Sequence, residues 1–165
     1  MSGQVAINFL KQAKTQLDPS IKVTGSGFFV EQDVLSAIGD AAPVGALTGL
    51  HWALTLDNSE NKDFTAAFRK RFGKTADVFA VQGYDTARVI VEALDAVSGS
   101  TTDKAAFMKA IAKVTFKSPR GDFRIDENSH NVINTVYVRQ LVDDSRLGLT
   151  NKVISSTPNV VDPGK

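Results

Sequence analysis

His51 and His130 are the only two imidazoles in this 165-residue chain, and there is no cysteine. Acid–base, nucleophilic or metal chemistry has to be built around them. A serine nucleophile needs a histidine base in reach, and the chain lacks the Gly-x-Ser-x-Gly elbow that would expose one. Gly25-Ser26-Gly27 has the glycines, yet it follows a strand and runs into Phe28-Phe29. His51 lies in an apolar strand beside Trp52, which suits a hydrogen-bonded core histidine. His130 stands among Asn128, Ser129 and Asn131, where a turn is expected. Two histidines in unlike contexts make a poor zinc set, and Asp126-Glu127 lacks the spacing of a calcium loop. Gly25-x-Gly27 lacks the rest of a dinucleotide fingerprint. The residues predict no catalytic group, no metal and no cofactor.

Other groups suit recognition of a small molecule. Phe28-Phe29, just after a glycine turn, reads equally as an aromatic wall or as a core anchor for the next helix. Gly83-Tyr84-Asp85 falls in the first turns of a long helix, where Asp85 favours the helix dipole and Tyr84 projects to core or cleft. Ser118-Pro119-Arg120-Gly121-Asp122-Phe123 reads as a tight turn before a strand. Arg120 there could grip a carboxylate with two donors, although a structural salt bridge is the simpler use. Arg69-Lys70-Arg71 extends a helix bearing Phe64, Phe68 and Phe72 and fits a solvated face at a helix C-terminus. Nucleic-acid binding needs more basic surface than this.

The elements that must position these groups are legible from periodicity. The chain has 42% apolar and 22% charged residues and a net charge of +1, so it is globular and carries no large field toward a polyanion or membrane. No stretch approaches the roughly 20 apolar residues of a membrane span. The opening Met1-Ser2-Gly3-Gln4 has neither the basic nor the apolar region of a signal peptide. Val5, Ala6, Phe9, Leu10 and Ala13 predict a helix over 3–16, stopped at Asp18-Pro19-Ser20. A strand at 21–24, a helix at 31–38 and a strand at 44–52 follow. Asp57-Asn58-Ser59 offers N-caps for a third helix that Gly73 closes, and a long helix spans 78–97 on a stripe of Val81, Ala87, Ile90, Val91, Leu94 and Val97. Thr102-Asp103 caps a helix with Phe107, Ala110 and Ile111 buried. Strands are expected at 123–125 and 133–142, the latter alternating with Ile133, Thr135, Tyr137, Arg139 and Leu141 on one face. The tail from Ser155 is expected to be loose. Alternating strands and helices predict an α/β fold, a three-layer, mainly parallel sheet with flanking helices. Ligands then bind at the carboxyl ends of the strands, at Gly25-Ser26-Gly27-Phe28 and just after Leu50.

Taken in order, several segments resemble one family. They are Ser2-Gly3 with Phe9-Leu10-Lys11-Gln12-Ala13, and Ala37-Ile38-Gly39-Asp40-Ala41-Ala42 with Gly45. Next come Leu56-Asp57-Asn58, Asn61-Lys62-Asp63-Phe64, Phe68 and Arg71-Phe72-Gly73. Then follow Ala80-Val81-Gln82-Gly83-Tyr84-Asp85-Thr86-Ala87, Ser118 to Phe123, and Val136-Tyr137-Val138-Arg139. The set resembles the branched-chain amino acid and aromatic-compound group of type I periplasmic solute-binding proteins, C-terminal half only. That resemblance implies two α/β lobes with solute held in the cleft between them and closure by a hinge. Residues 1–73 and 131–157 would belong to the second lobe, 74–130 to part of the first, and 158–165 to a loose tail.

The resemblance also implies function. The expectation is non-catalytic capture of a small solute for an ABC importer, with the permease as partner and a periplasmic location for a full-length parent. A ligand-sensing domain of a regulator or receptor with the same fold is the alternative. Unpaired sheet edges would encourage self-association. Contacts carried over by position are Ser2, Gly3 and Gln4 at the first helix N-terminus, Gly27 and Phe28, Val44, and Gln82 and Tyr84. Amino-acid binders of the family often carry an acid just before the glycine matched by Gly45, and here that residue is Val44. A buried ammonium without a counter-charge costs several kcal/mol, so aromatic carboxylates are favoured over branched-chain amino acids.

Overall fold

A computed structural model describes residues 2–164. Its first helix, α1 (Gly3–Gln16), buries Ala6 and Leu10, one turn apart. Val5 and Phe9, expected in the same stripe, stay largely open at 63% and 39% exposure, so the packed face is narrower than the sequence pattern. Strand β1 (Thr24–Ser26) leads into a 3₁₀ turn over Gly27–Val30, then α2 (Gln32–Ile38) and β2 (Leu47–Leu50).

Local chemistry sets the bounds of the next helices. For α3 (Ser59–Phe72), the Asn58 side chain accepts from the Asn61 amide, and Gly73 ends the helix in a left-handed conformation with φ +68°. Asp77 and Asp103 cap α4 (Val78–Ala96) and α5 (Lys104–Ala112) in the same way. Phe107, Ala110 and Ile111 of α5 are only half-buried, and Ile90 and Val91 of α4 are 45% and 56% exposed. The chain then forms a hairpin of β3 (Thr115–Ser118) and β4 (Gly121–Arg124), followed by two long strands, β5 (Asn134–Asp144) and β6 (Gly148–Val160).

The fold is α/β, but its four-stranded sheet is mixed. Its order is β1-β2-β5-β6. Only β1 and β2 run parallel; β5 is antiparallel to both β2 and β6. The expected predominance of parallel pairing fails because no helix crosses between β5 and β6. A short turn ending at Gly148 (φ +68°) joins them, and a turn that short leaves only the antiparallel arrangement. The tail is corrected as well. Residues 155–160 belong to β6, with Val160 paired to Asn134, and the register shift near Asn134 and Val136 accommodates Pro158 on this edge strand. Residues 161–164 have no regular structure.

Two apolar clusters hold the elements. One joins Ala6 and Leu10 of α1 to Phe29, Val30, Val34, Leu35, Ile38 and Leu141. The other surrounds Trp52 with Leu50, Ala76, Val78 and Val81, flanked by Phe28, Phe64 and Phe68. Each fully buried valine or leucine contributes about 1.5–3 kcal/mol. The second cluster therefore fixes the start of α4 against the carboxyl end of β2.

Candidate functional site

β1 and β2 run side by side with Ser26 opposite Gly49, so the residues that follow them emerge together. From β1 these are Gly27 and Phe28; from β2, His51 and Trp52. The first turns of α4 complete the group. The Phe28 and Phe79 rings stack with centroids 5.7 Å apart and planes 30° from parallel, and Phe79 is 48% exposed. The Gln82 amide Nε2 lies 3.4 Å from His51 Nε2. The side-chain amide and the imidazole are thus within hydrogen-bonding reach of each other. Burial, then Arg120, then Arg139 push the imidazole pKa down from 6.5 to about 4. The result is an apolar, ring-lined wall beside a neutral imidazole and an amide.

Two ionic networks back this wall. In the first, buried Asp85 accepts from Ser118 Oγ at 2.8 Å and from Arg120 Nε at 2.7 Å, and Tyr137 Oη donates to the Arg120 carbonyl at 2.8 Å. Burial raises the Asp85 pKa, and Arg120 opposes that rise. Arg120 thus serves the structural salt bridge and ties α4 to the β3–β4 turn. In the second, fully buried Arg139 meets Glu31 at 3.0 Å. Its charge lies on the inward-facing row of β5 with Tyr137 and Leu141, as the alternation predicts.

The sequence-derived contacts divide. Phe28 and Gln82 come together with His51 and Phe79. Ser2, Gly3 and Gln4 start α1, whose other end reaches Asp40 through Lys14 at 2.7 Å. Asp40 precedes β2, so α1 runs counter to the strands and its N-terminus lies toward their carboxyl ends. Tyr84 packs on Phe64 of α3, centroids 5.1 Å apart. Two residues along a helix is about 200° of rotation, so Tyr84 does not share the face of Gln82.

Gly27 is buried, and its carbonyl accepts from Arg139 Nη2 at 3.0 Å. An added Cβ would press on Leu50 and on Arg139 Nη2, so this glycine serves close packing rather than ligand contact. Val44 is misplaced. It precedes β2, at the opposite end of the strands from Phe28 and His51. There it lines an open groove of about 1150 Å³ with Leu17, Ile21 and Leu47. The inference drawn from Val44 about an ammonium therefore has no bearing on this site. Sequence reasoning missed His51 and Phe79. His51 was read as a hydrogen-bonded core histidine, and its contact with Gln82 agrees with that; the signal for a site role was its place just after Leu50, where ligand was expected.

The parallel β1–β2 pair carries aromatic and polar groups at its carboxyl ends, where α/β folds place their ligands. The chain belongs to the periplasmic binding protein family, whose sequence model matches residues 1–146. It is 30% identical over 99% of its length to a Leu/Ile/Val-binding protein homolog 6 from Brucella melitensis, and spans 42% of that relative. Among solved structures, it resembles an ABC transporter solute-binding protein of R. palustris in complex with benzoate. The match has 33% identity, TM-score 0.86, and covers 99% of this chain and 43% of that one. A second, from Rhodopseudomonas palustris BisB5 in complex with 3,4-dihydroxy benzoic acid, has 30% identity, TM-score 0.89, and covers 99% and 45%. The chain thus spans less than half the length of these relatives.

Proposed function

We propose that this chain supplies half of a solute-binding cleft, and that the full protein captures an aromatic carboxylate in the periplasm for an ABC importer without chemical conversion. The observation that carries this reading is the juxtaposition of Phe28, Phe79, His51 and Gln82 at the carboxyl ends of β1 and β2. The exposed Phe79 ring, stacked on half-buried Phe28, offers a face to an aromatic ligand, and the neutral His51 ring carries one N–H donor for a carboxylate oxygen. The free amides at the N-terminus of α1 add further donors. No carboxylate in the contacts of His51 or Gln82 offers a counter-charge to an ammonium. Benzoate and 3,4-dihydroxybenzoate are the ligands of the two similar proteins described above.

The lobe assignment follows. Residues 1–73 and 131–157 build the second lobe, since the four-stranded sheet draws all its strands from 24–50 and 134–160. Residues 74–130 belong to the first lobe, and they carry α4, α5 and a separate hairpin. The open apolar positions Ile90, Val91 and Met108 then face the rest of that lobe. The unpaired edge of β1 favours self-association of the chain on its own. Calorimetric titration with benzoate, 4-hydroxybenzoate and leucine tests the reading. Heat from the aromatic acids, lost in Phe28→Ala, is expected; heat from leucine alone overturns it.

A further inference from the structure

Arg139 and Glu31 form the most deeply buried ion pair among the described residues, at 0% and 1% side-chain exposure. Replacing such a pair with apolar side chains of similar volume is often neutral or stabilising, so stability alone gives no reason to keep it. Its contacts suggest another use. Arg139 Nη1 donates to Glu31 Oε2 at 3.0 Å and to the Trp52 carbonyl at 2.8 Å. Nη2 donates to the Gly27 carbonyl at 3.0 Å and reaches Thr48 Oγ1 at 3.5 Å. Glu31 spends its other oxygen on the Val78 amide at 3.3 Å, the first residue of α4.

One guanidinium and its carboxylate therefore hold three separate segments. Gly27 immediately precedes Phe28. Trp52 immediately follows His51. Val78 immediately precedes Phe79 and lies one helical turn before Gln82. These are the segments that bear the four groups of the candidate cleft, and the ion pair touches each through backbone close to those side chains. Gly27 has no Cβ at the point where Nη2 approaches, so the clamp and the glycine require each other.

We infer that Arg139 and Glu31 are positioning residues for the ligand site: the pair keeps the start of α4 in register with the ends of β1 and β2, without touching ligand. This rests on the ligand reading above for its consequence and on the backbone contacts for its mechanism. In Glu31→Gln the shape is kept, but the carboxylate's two acceptors become one, so the single amide oxygen cannot serve both Arg139 and the Val78 amide and the bridge between them breaks. Arg139→Lys keeps the charge while one ammonium cannot span four acceptors.

Amide hydrogen exchange by NMR on the full chain, with α3 and α5 as internal references, and benzoate titration test the inference together. In Glu31→Gln the first-turn amides of α4 are expected to exchange about tenfold faster, the scale of one hydrogen bond to a charged group. Protection in α3 and α5 is expected to hold, and benzoate affinity to fall about tenfold. Arg139→Lys is expected to lie between Glu31→Gln and the parent chain. Unchanged α4 protection in a folded variant, or an equal loss in every helix, overturns the positioning role. If Arg139→Lys does not fold, the isosteric Glu31→Gln decides. Should the full-length protein show no benzoate binding, the ligand reading fails, and the exchange pattern still decides whether the pair positions α4.

Discussion

Lowering the pH should destabilise the chain through one side chain, His51. Its folded pKa is about 4 against 6.5 for an ordinary histidine, chiefly from burial, with Arg120 and then Arg139 adding repulsion. A histidine depressed in the folded state binds its proton in the unfolded chain first, so stability falls as pH drops from 6.5 toward 4 and levels off below. At about 1.4 kcal/mol for each unit, the interval sets a ceiling of about 3 kcal/mol, and the partial solvent access of the imidazole brings the expectation to about 1–2 kcal/mol. Glu31 and Asp85 act with the opposite sign. Their pKa values are raised, so their contribution is complete at low pH and is lost as pH rises through their folded values. A comparison with His51→Gln cancels those carboxylates. Urea unfolding at several pH values between 7 and 4 should show the two proteins diverging, with the parent losing about 1–2 kcal/mol more. Parallel pH profiles, or an NMR titration of His51 centred near 6.5, would refute the reasoning.

Gly27→Ala places a methyl group within 2.5 Å of Arg139 Nη2 and closer still to Leu50 Cβ. It should cost at least about 2 kcal/mol in urea unfolding, and an equally stable variant would contradict the packing described. Asn61→Ala removes the acceptor for the indole N–H of Trp52 at 2.8 Å and the donor to the Leu54 and Leu56 carbonyls. A cost of about 1–3 kcal/mol is expected, lowering Tm by roughly 2–12 °C and shifting the emission of this single tryptophan. Val44→Ala, at the far end of the strands, should leave affinity for benzoate unchanged in calorimetry.

Elements with a strong internal signal were legible in the sequence. The bounds of α1 come out at Gly3–Gln16 as read, and capping chemistry placed the ends of α3 at Asp57-Asn58-Ser59 and Gly73, with Asn58 the cap used. The alternation of β5 put Tyr137, Arg139 and Leu141 on one face, which is the buried one. It did not reveal that the arginine is the centre of a clamp, because its partner Glu31 lies 108 residues away and only the fold brings them together. β6 was missed because Ser155-Ser156-Thr157-Pro158 has a turn-like composition. As an edge strand, mostly open to water, it needs no apolar alternation and draws its order from hydrogen bonds to β5. For the site, the rule that ligands meet the carboxyl ends of parallel strands pointed to Phe28 and to the position after Leu50. Matching by family pattern pointed to Phe28 and Gln82 at that end and to Val44 at the opposite one. Register, not residue type, separates the two.

The central claim is that a ligand meets the carboxyl ends of β1 and β2 and not the groove at their other end. Chemical-shift mapping of the isotope-labelled chain titrated with benzoate tests this most directly. The account predicts shifts at Phe28, His51, Phe79 and Gln82, with Leu17, Ile21 and Val44 unmoved. Shifts centred on the Val44 groove, or a response to leucine with none to benzoate, would contradict it.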